Sequence, residues 1–361
     1  MYFFFLRWSD FLGDNKTKLG SITTLRGIAA GLILILHMAI RTSRLGYEPG
    51  VFEQIGKFGT IGIDIFFVIS GFIIMYIVYE HFNEQNFARI FFVKRLARIF
   101  PTLWFVTALL IPVYLLHPEV INSSKGPPNI ALSFLLLPDQ NPFLLYPAWT
   151  LVHEIMFYAI MFFALSFPRA HGLRIIFLTI GSFVFLGYTN FLGQGLCLPN
   201  PVIQRVASEL NGEFLFGILI YFAFRRNSMP LAATSLTAGA LLAFASSFCF
   251  LDSQTTLPRL LYLGIPSALF VYGMVGIEKN KPSLKFPRIM LFLGTISYSL
   301  YLIHVPILGL IIVLWRAFGL KEVVPVWGLL MVWTLVVTIA STLLFLLIEQ
   351  PSLKLLRRRI V

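Results

Sequence analysis

LRGIAAGLILILH, from Leu25 to His37, is a hydrocarbon-like run interrupted only by Arg26 and His37. As a helix it rises ~16 Å between those two residues, about half of a ~30 Å bilayer core, so His37 sits at mid-depth. Hydrocarbon solvates an imidazole poorly, and an ionisable group kept there faces a protein interior and marks chemistry or transport. The stretch therefore reads as a membrane helix with a purpose beyond packing.

The rest of the chain is built in the same way. Of 361 residues, 58% are hydrophobic and only 12% charged, whereas soluble domains carry about 25% charged residues. No polar stretch is long enough to form a separate soluble domain. The composition predicts an all-α integral membrane protein, a single domain over residues 1–361. Residues 1–20 contain too short an apolar run for a secretory signal and read as an interfacial segment, with Arg7 and Trp8 at the head groups. The apolar runs predict about ten transmembrane helices in one bundle. They begin near Leu25, Ile61, Ile99, Trp149, Leu173, Glu209, Leu231, Arg259, Ile289 and Pro325. Connections are short except for residues 117–147, which are rich in Pro and Asn and show no helical period.

A net charge of +12 would suit nucleic acid, but its placement points to membrane orientation instead. Sorted into alternate connections, twenty of the 28 Lys and Arg residues fall on one side. The positive-inside rule makes that side, with both termini, cytoplasmic and residues 117–147 extracytoplasmic. No nucleic-acid partner is expected, and the bilayer is the first partner. Cys197 and Cys249 fall toward the outer side, where a disulfide and unpaired apolar packing are both open. They form no metal or redox motif, and no metal site is expected.

Three further apolar spans carry lone polar groups. Counting along the helices puts Asp64 ~8 Å below Gly59, Glu154 ~8 Å below Trp149 and His304 ~24 Å above Arg288. These spans run in opposed directions, yet with His37 all four groups fall in the middle or outer half of the membrane. That coincidence predicts one shared polar cavity. At the inner face, Arg95 and Arg98 share a helix face, and Arg26 and Glu349 lie at similar depth. Two readings are open for this second cluster: orientation charge with a local ion pair, or a dock for a phosphate-bearing molecule, which guanidinium forks bind bidentately.

The residues that carry these groups also form motifs. Arg26 and His37 give an Arg–ten residues–His pattern in the first span, and Gly59 to Ile74 reads GTIGIDIFFVISGFII. Lys94 to Pro101 reads KRLARIFP, Pro147 to Tyr158 reads PAWTLVHEIMFY, Ile296 to His304 reads ISYSLYLIH, and the last span ends Glu349-Gln350-Pro351. In this order, over nearly the whole chain, they resemble the acyltransferase-3 family of membrane acyltransferases, which O-acylate cell-surface glycans. The size is most similar to the stand-alone exopolysaccharide and O-antigen O-acetyltransferases. The resemblance implies a bacterial inner-membrane enzyme that takes an acyl group, most often acetyl, from coenzyme A at the cytoplasmic face. The acceptor it implies is a sugar hydroxyl on a polysaccharide or lipid-linked oligosaccharide.

On this reading His37 is the general base, because a neutral imidazole can take the proton of an attacking hydroxyl. Glu154 or Asp64 would orient its ring, and the residues do not choose between them. Asp64 also reads as a helix N-terminal charge that suits the dipole, and Glu154 as one half of a hydrogen-bonded pair with Tyr158. Arg95 and Arg98, with Arg26 as a third, would anchor the phosphates of acetyl-coenzyme A. Tyr158, Tyr301 and His304 are the candidate acceptor contacts. Ser297, Tyr301 and His304 share one helix face that reads equally as interhelical glue. Donor phosphates inside and His37 at mid-depth predict a narrow tunnel for the pantetheine arm between them. No serine or cysteine nucleophile motif is present, so direct attack by the acceptor is the simpler route. A transporter or flippase of a glycan or lipid intermediate is the competing class, since intramembrane acids and imidazoles also relay protons. An acyltransferase for a lipid or small molecule is a third. Oligomeric state is not legible.

Overall fold

A computed structural model describes residues 19–47, 51–118, 121, 126–138, 141–191, 206–226, 228–249 and 258–360. Among them every regular element is helical. The helices are α1 (Gly20–Arg44), α2 (Val51–Phe58), α3 (Ile61–Val78), α4 (Phe87–Leu116), α5 (Ile130–Leu135), α6 (Trp149–Ala164) and α7 (Arg169–Phe191). They continue with α8 (Gly212–Phe224), α9 (Ala232–Cys249), α10 (Ile265–Asn280), α11 (Arg288–Thr295), α12 (Ser297–Ala317), α13 (Val326–Leu344) and α14 (Gln350–Ile360). Eight helical stretches among the described residues are long and apolar enough to cross a membrane. The sixth and seventh predicted spans correspond to the shorter α8 and to α9, whose apolar stretch Ala232–Ser246 is also short.

Helix α1 runs through the middle of the bundle and packs on α2, α3, α11 and α12. Its start is fixed by a distant carboxylate rather than by a local cap. Glu278, from the last turn of α10, accepts the backbone N–H groups of Gly20 at 2.8 Å and Ser21 at 3.0 Å. These are orphan donors of a first helical turn, and a negative charge there suits the dipole. The lock sets the depth of Arg26, less than two turns on. Elsewhere glycine sets the spacing. A Cβ on Gly71 of α3 would lie 2.1 Å from the carbonyl oxygen of Phe214 in α8, and one on Gly217 of α8 would lie 2.1 Å from that of Val68. The α3–α8 backbones touch because neither helix has a side chain at the crossing.

Several boundaries differ from those read off the sequence. The third span begins at Phe87, not near Ile99, so Arg95 and Arg98 sit well inside a 30-residue helix. Charge hid this start, because Arg89, Lys94, Arg95 and Arg98 break the apolar run. The ninth span is not straight: α11 and α12 meet at Ile296, where Gly294 presses on the backbone of Thr23. The straight-helix depth given to His304 from Arg288 therefore does not hold. The last span continues past Pro351, through a π-helical turn at Phe345–Glu349. Within residues 117–147 the short α5 carries Ser133, whose hydroxyl accepts the N–H of Leu144 at 2.8 Å. The interfacial segment expected over residues 1–20 lies, up to residue 18, outside the described residues, as do Cys197 and the side chain of Cys249, the two ends of the open disulfide.

Candidate active site

A cavity of about 1000 Å³ opens inside the bundle. Its polar lining comes from many elements, five of which supply the groups that matter most here. Helix α1 gives Arg26, and α4 gives Arg95 and Arg98. Helix α6 gives Thr150, Glu154 and Tyr158, spaced four apart and therefore on one face. Helix α12 gives Ser297, Tyr298 and Tyr301, and the π-helical turn gives Glu349. Helix α3 closes one wall with Ile63, Phe66, Phe67 and Ile73, a face apolar but for Ser70 and Tyr76 and suited to an acyl or pantetheine chain.

The cavity has an electrostatic bias. Arg26, Arg95, Arg98 and Lys354 line it against only two carboxylates, Glu154 and Glu349. Both carboxylates have neutral hydrogen-bond donors. The Tyr158 hydroxyl donates to Glu154, and the Ser299 hydroxyl donates to Glu349 at 2.6 Å. The Arg95 guanidinium lies 5.9 Å from the centre of the Tyr158 ring and 5.5 Å from that of Phe91, a cation–π placement. Two formal positive charges are thus in excess in a low-dielectric chamber, an arrangement that favours an anionic ligand.

At the opposite end the Tyr301 hydroxyl donates to the carbonyl of Pro147 at 3.0 Å and shares a 2.6 Å hydrogen bond with Thr150. Beyond that ring the cavity lining stops. The His304 ring lies 5.9 Å from Tyr301, and the His37 ring lies 5.0 Å from His304. Tyr146 meets His37 edge-on at 6.1 Å. His304 is fully buried, whereas His37 is half-buried.

The sequence candidates therefore divide into three groups. Arg26, Arg95, Arg98, Glu154, Tyr158 and Tyr301 share the cavity. His37 and His304 form a ring pair just past it. Asp64 lies elsewhere: its carboxylate is gripped by Arg259, Nε to Oδ1 at 2.9 Å and a terminal nitrogen to Oδ2 at 2.7 Å. Glu209 accepts the backbone N–H of Arg259 at 2.9 Å, and Glu213 is fully buried in α8, a helix that packs on α3. His153, beside Glu154, points away to Asn211, 3.1 Å from its side-chain oxygen. Thr150 and Arg259 are not among the site candidates that the sequence offers. Thr150 was legible as the residue one turn before Glu154, while nothing local links Arg259 to a residue 195 positions earlier. Among the described residues no group of three or more His, Cys, Asp or Glu is placed to hold a metal ion.

A protein-family profile described as an acyltransferase domain (Acyl_transf_3) matches residues 19–348. The chain belongs to this family and is a multi-pass membrane acyltransferase. Among curated proteins it is 27% identical to the exopolysaccharide production protein ExoZ of Rhizobium meliloti, over 83% of this chain and 92% of that one. It is 25% identical to the putative membrane-bound transacylase BcsY of Komagataeibacter xylinus, over 96% of this chain and 85% of that one. No solved structure matches the chain.

Proposed function

We propose, with membership of this acyltransferase family as the premise, that the protein moves an acetyl group from coenzyme A to a hydroxyl of an extracellular polysaccharide or its lipid-linked precursor. The bacterial inner membrane is the setting this reaction requires. The observation that carries the reading is the cavity itself, cationic at Arg26, Arg95 and Arg98 and ending one aromatic ring short of the His37–His304 pair. Coenzyme A is a polyanion with a thin neutral arm. Arg26, Arg95 and Arg98 would hold its phosphates, and the apolar α3 wall would carry the arm toward Tyr301. The match to ExoZ supports a polysaccharide acceptor.

In this reaction His37 removes the proton of the acceptor hydroxyl as its oxygen bonds to the acyl carbon. The carbon–sulfur bond breaks, and His37 returns the proton to the sulfur, giving ester and free thiol. Thr150 and Tyr301, bonded to one another, stand where the thioester must pass. Glu154 and Tyr158 act from the chamber wall, and Asp64 acts through Arg259 on helix packing. The test is acetyl transfer to isolated surface polysaccharide by purified protein. His37→Ala is expected to abolish transfer, at least a hundredfold, in protein that elutes as wild type. Arg95→Ala combined with Arg98→Ala is expected to raise the KM for acetyl-coenzyme A tenfold or more. Retained transfer in the first variant, or an unchanged KM in the second, rejects the corresponding role.

A further inference from the structure

His304 is a fully buried side chain whose placement the reaction above does not use. Its Nδ1 lies 3.1 Å from the carbonyl oxygen of Leu300, one turn back along α12. A carbonyl only accepts, so Nδ1 carries the ring proton, and Nε2 of the neutral ring is left with a lone pair. That Nε2 has no hydrogen-bond partner among the described residues. A buried acceptor with nothing to accept is costly, and such exceptions cluster where a group is kept for a task.

A histidine base works best when a neighbour holds its proton-bearing nitrogen, so that the other nitrogen presents its lone pair to the substrate. A carboxylate is the usual neighbour. Here Asp64 is committed to Arg259 and Glu154 to Tyr158. The nearer of the two rings beside His37 is His304, which still has a lone pair to offer, 5.0 Å away between centroids with the planes inclined by 53°. At that separation, turning the two ring edges toward one another brings the nitrogens within hydrogen-bond reach.

We propose that His304 is the positioning residue of His37: its Nε2 accepts the N–H of one His37 nitrogen and leaves the other free to act as base. The inference rests on the reading of His37 as the base. During transfer the acceptor proton moves to the free His37 nitrogen and on to the sulfur. The proton on Nδ1 of His304 stays where it is. A neutral partner also avoids burying a second charge at mid-membrane, a cost that a carboxylate would add.

Two substitutions separate this role from a structural one. His304→Asn keeps a donor where Nδ1 stood, and so the bond to Leu300, but has no atom at the Nε2 position. His304→Gln reverses this. The assay is transfer of radiolabelled acetyl-coenzyme A into glycan in membranes that contain the native acceptor. The expected result is a kcat lowered at least a hundredfold in His304→Asn and less than tenfold in His304→Gln, with the KM for acetyl-coenzyme A unchanged in both. His304→Asn at the wild-type rate, or His304→Gln falling as far as His304→Asn, overturns the proposal while wild-type transfer stands. Absence of label transfer by folded wild-type protein overturns the coenzyme A reading, and this one with it.

Discussion

Asp64 and Glu154 are both carboxylates a short way into apolar helices, and only their neighbours distinguish them. Asp64 is completely buried against a guanidinium that is itself mostly buried. Such a pair adds little stability over an apolar substitute, but removing one partner strands the other charge at a cost of about 3–5 kcal/mol. Asp64→Asn is therefore expected to lower the thermal unfolding temperature in detergent sharply, while the transfer rate per folded molecule stays near wild type. A rate that collapses in protein of unchanged stability would return Asp64 to the reaction. Glu154 faces the cavity and takes its hydrogen bond from Tyr158, one turn along the same helix. Spacing in the sequence already offered that second pairing. It did not offer the first, because Arg259 reaches Asp64 only once the chain has folded.

The two π-helical turns among the described residues share a setting. Leu260–Gly264 ends two residues before Pro266, and Phe345–Glu349 ends two residues before Pro351. Proline has no N–H for the carbonyl four residues back and crowds it, and widening the preceding turn relieves both faults without ending the helix. The extra residue rotates what precedes it, and at the second site it sets Glu349 against Ser299 in the cavity wall. Pro351→Ala removes the reason for the wide turn. It is expected to weaken the Glu349–Ser299 contact and to change the KM for acetyl-coenzyme A at least threefold, with kcat at saturation altered less; an unaltered KM would show that the turn does not shape the chamber. The same geometry marks the limit of the sequence reading. Apolar runs and lone charges point to most of the helices and to Arg26, Arg95, Arg98, Glu154 and Glu349 in the cavity wall, since both depend on composition and spacing within one segment; of the four groups expected to share one cavity, His37, Asp64, Glu154 and His304, only Glu154 lines it. The start at Phe87, the break at Ile296 and the passage through Pro351 depend on what each helix packs against. Gly71, like Gly59 and Gly62, reads from the sequence alone as a place of close helix approach, whereas Gly217 would read as a flaw in a helix, yet each is where another backbone must fit. Gly71→Ala puts a methyl group 2.1 Å from the Phe214 carbonyl. It is expected to part α3 from α8, seen as loss of a monodisperse peak in size-exclusion chromatography, whereas a wild-type elution profile would mean that the helices can slide apart at no cost.

Across the whole molecule, contacts between helix ends fall into two levels. At one level Glu278 caps the start of α1, Arg169 and Arg225 both reach Glu80 and stack on Tyr79, and Asn280 bonds the backbone of Met229. At the other, Arg316 bonds the carbonyl of Arg44, Tyr47 bonds that of Val324, and Arg259 joins Thr60, Asp64 and Glu209. These are the two sides into which the Lys and Arg count divides the chain. The cavity belongs to the first level, because Gly20 and Lys354 line it, and His37 stands between the levels, about two turns of α1 before Arg44. A donor entering from the basic side and an acceptor entering from the other would then meet at His37 without either crossing the bilayer. Sealed vesicles separate this arrangement from a site open to one side. With acetyl-coenzyme A added outside, inverted vesicles present the basic level to the donor and are expected to acetylate glycan at least tenfold faster than right-side-out vesicles from the same cells. Detergent that opens both should abolish the difference. Equal rates in the two sealed preparations would mean that donor and acceptor share an entrance, and the path past Tyr301 to His37 would lose its reason.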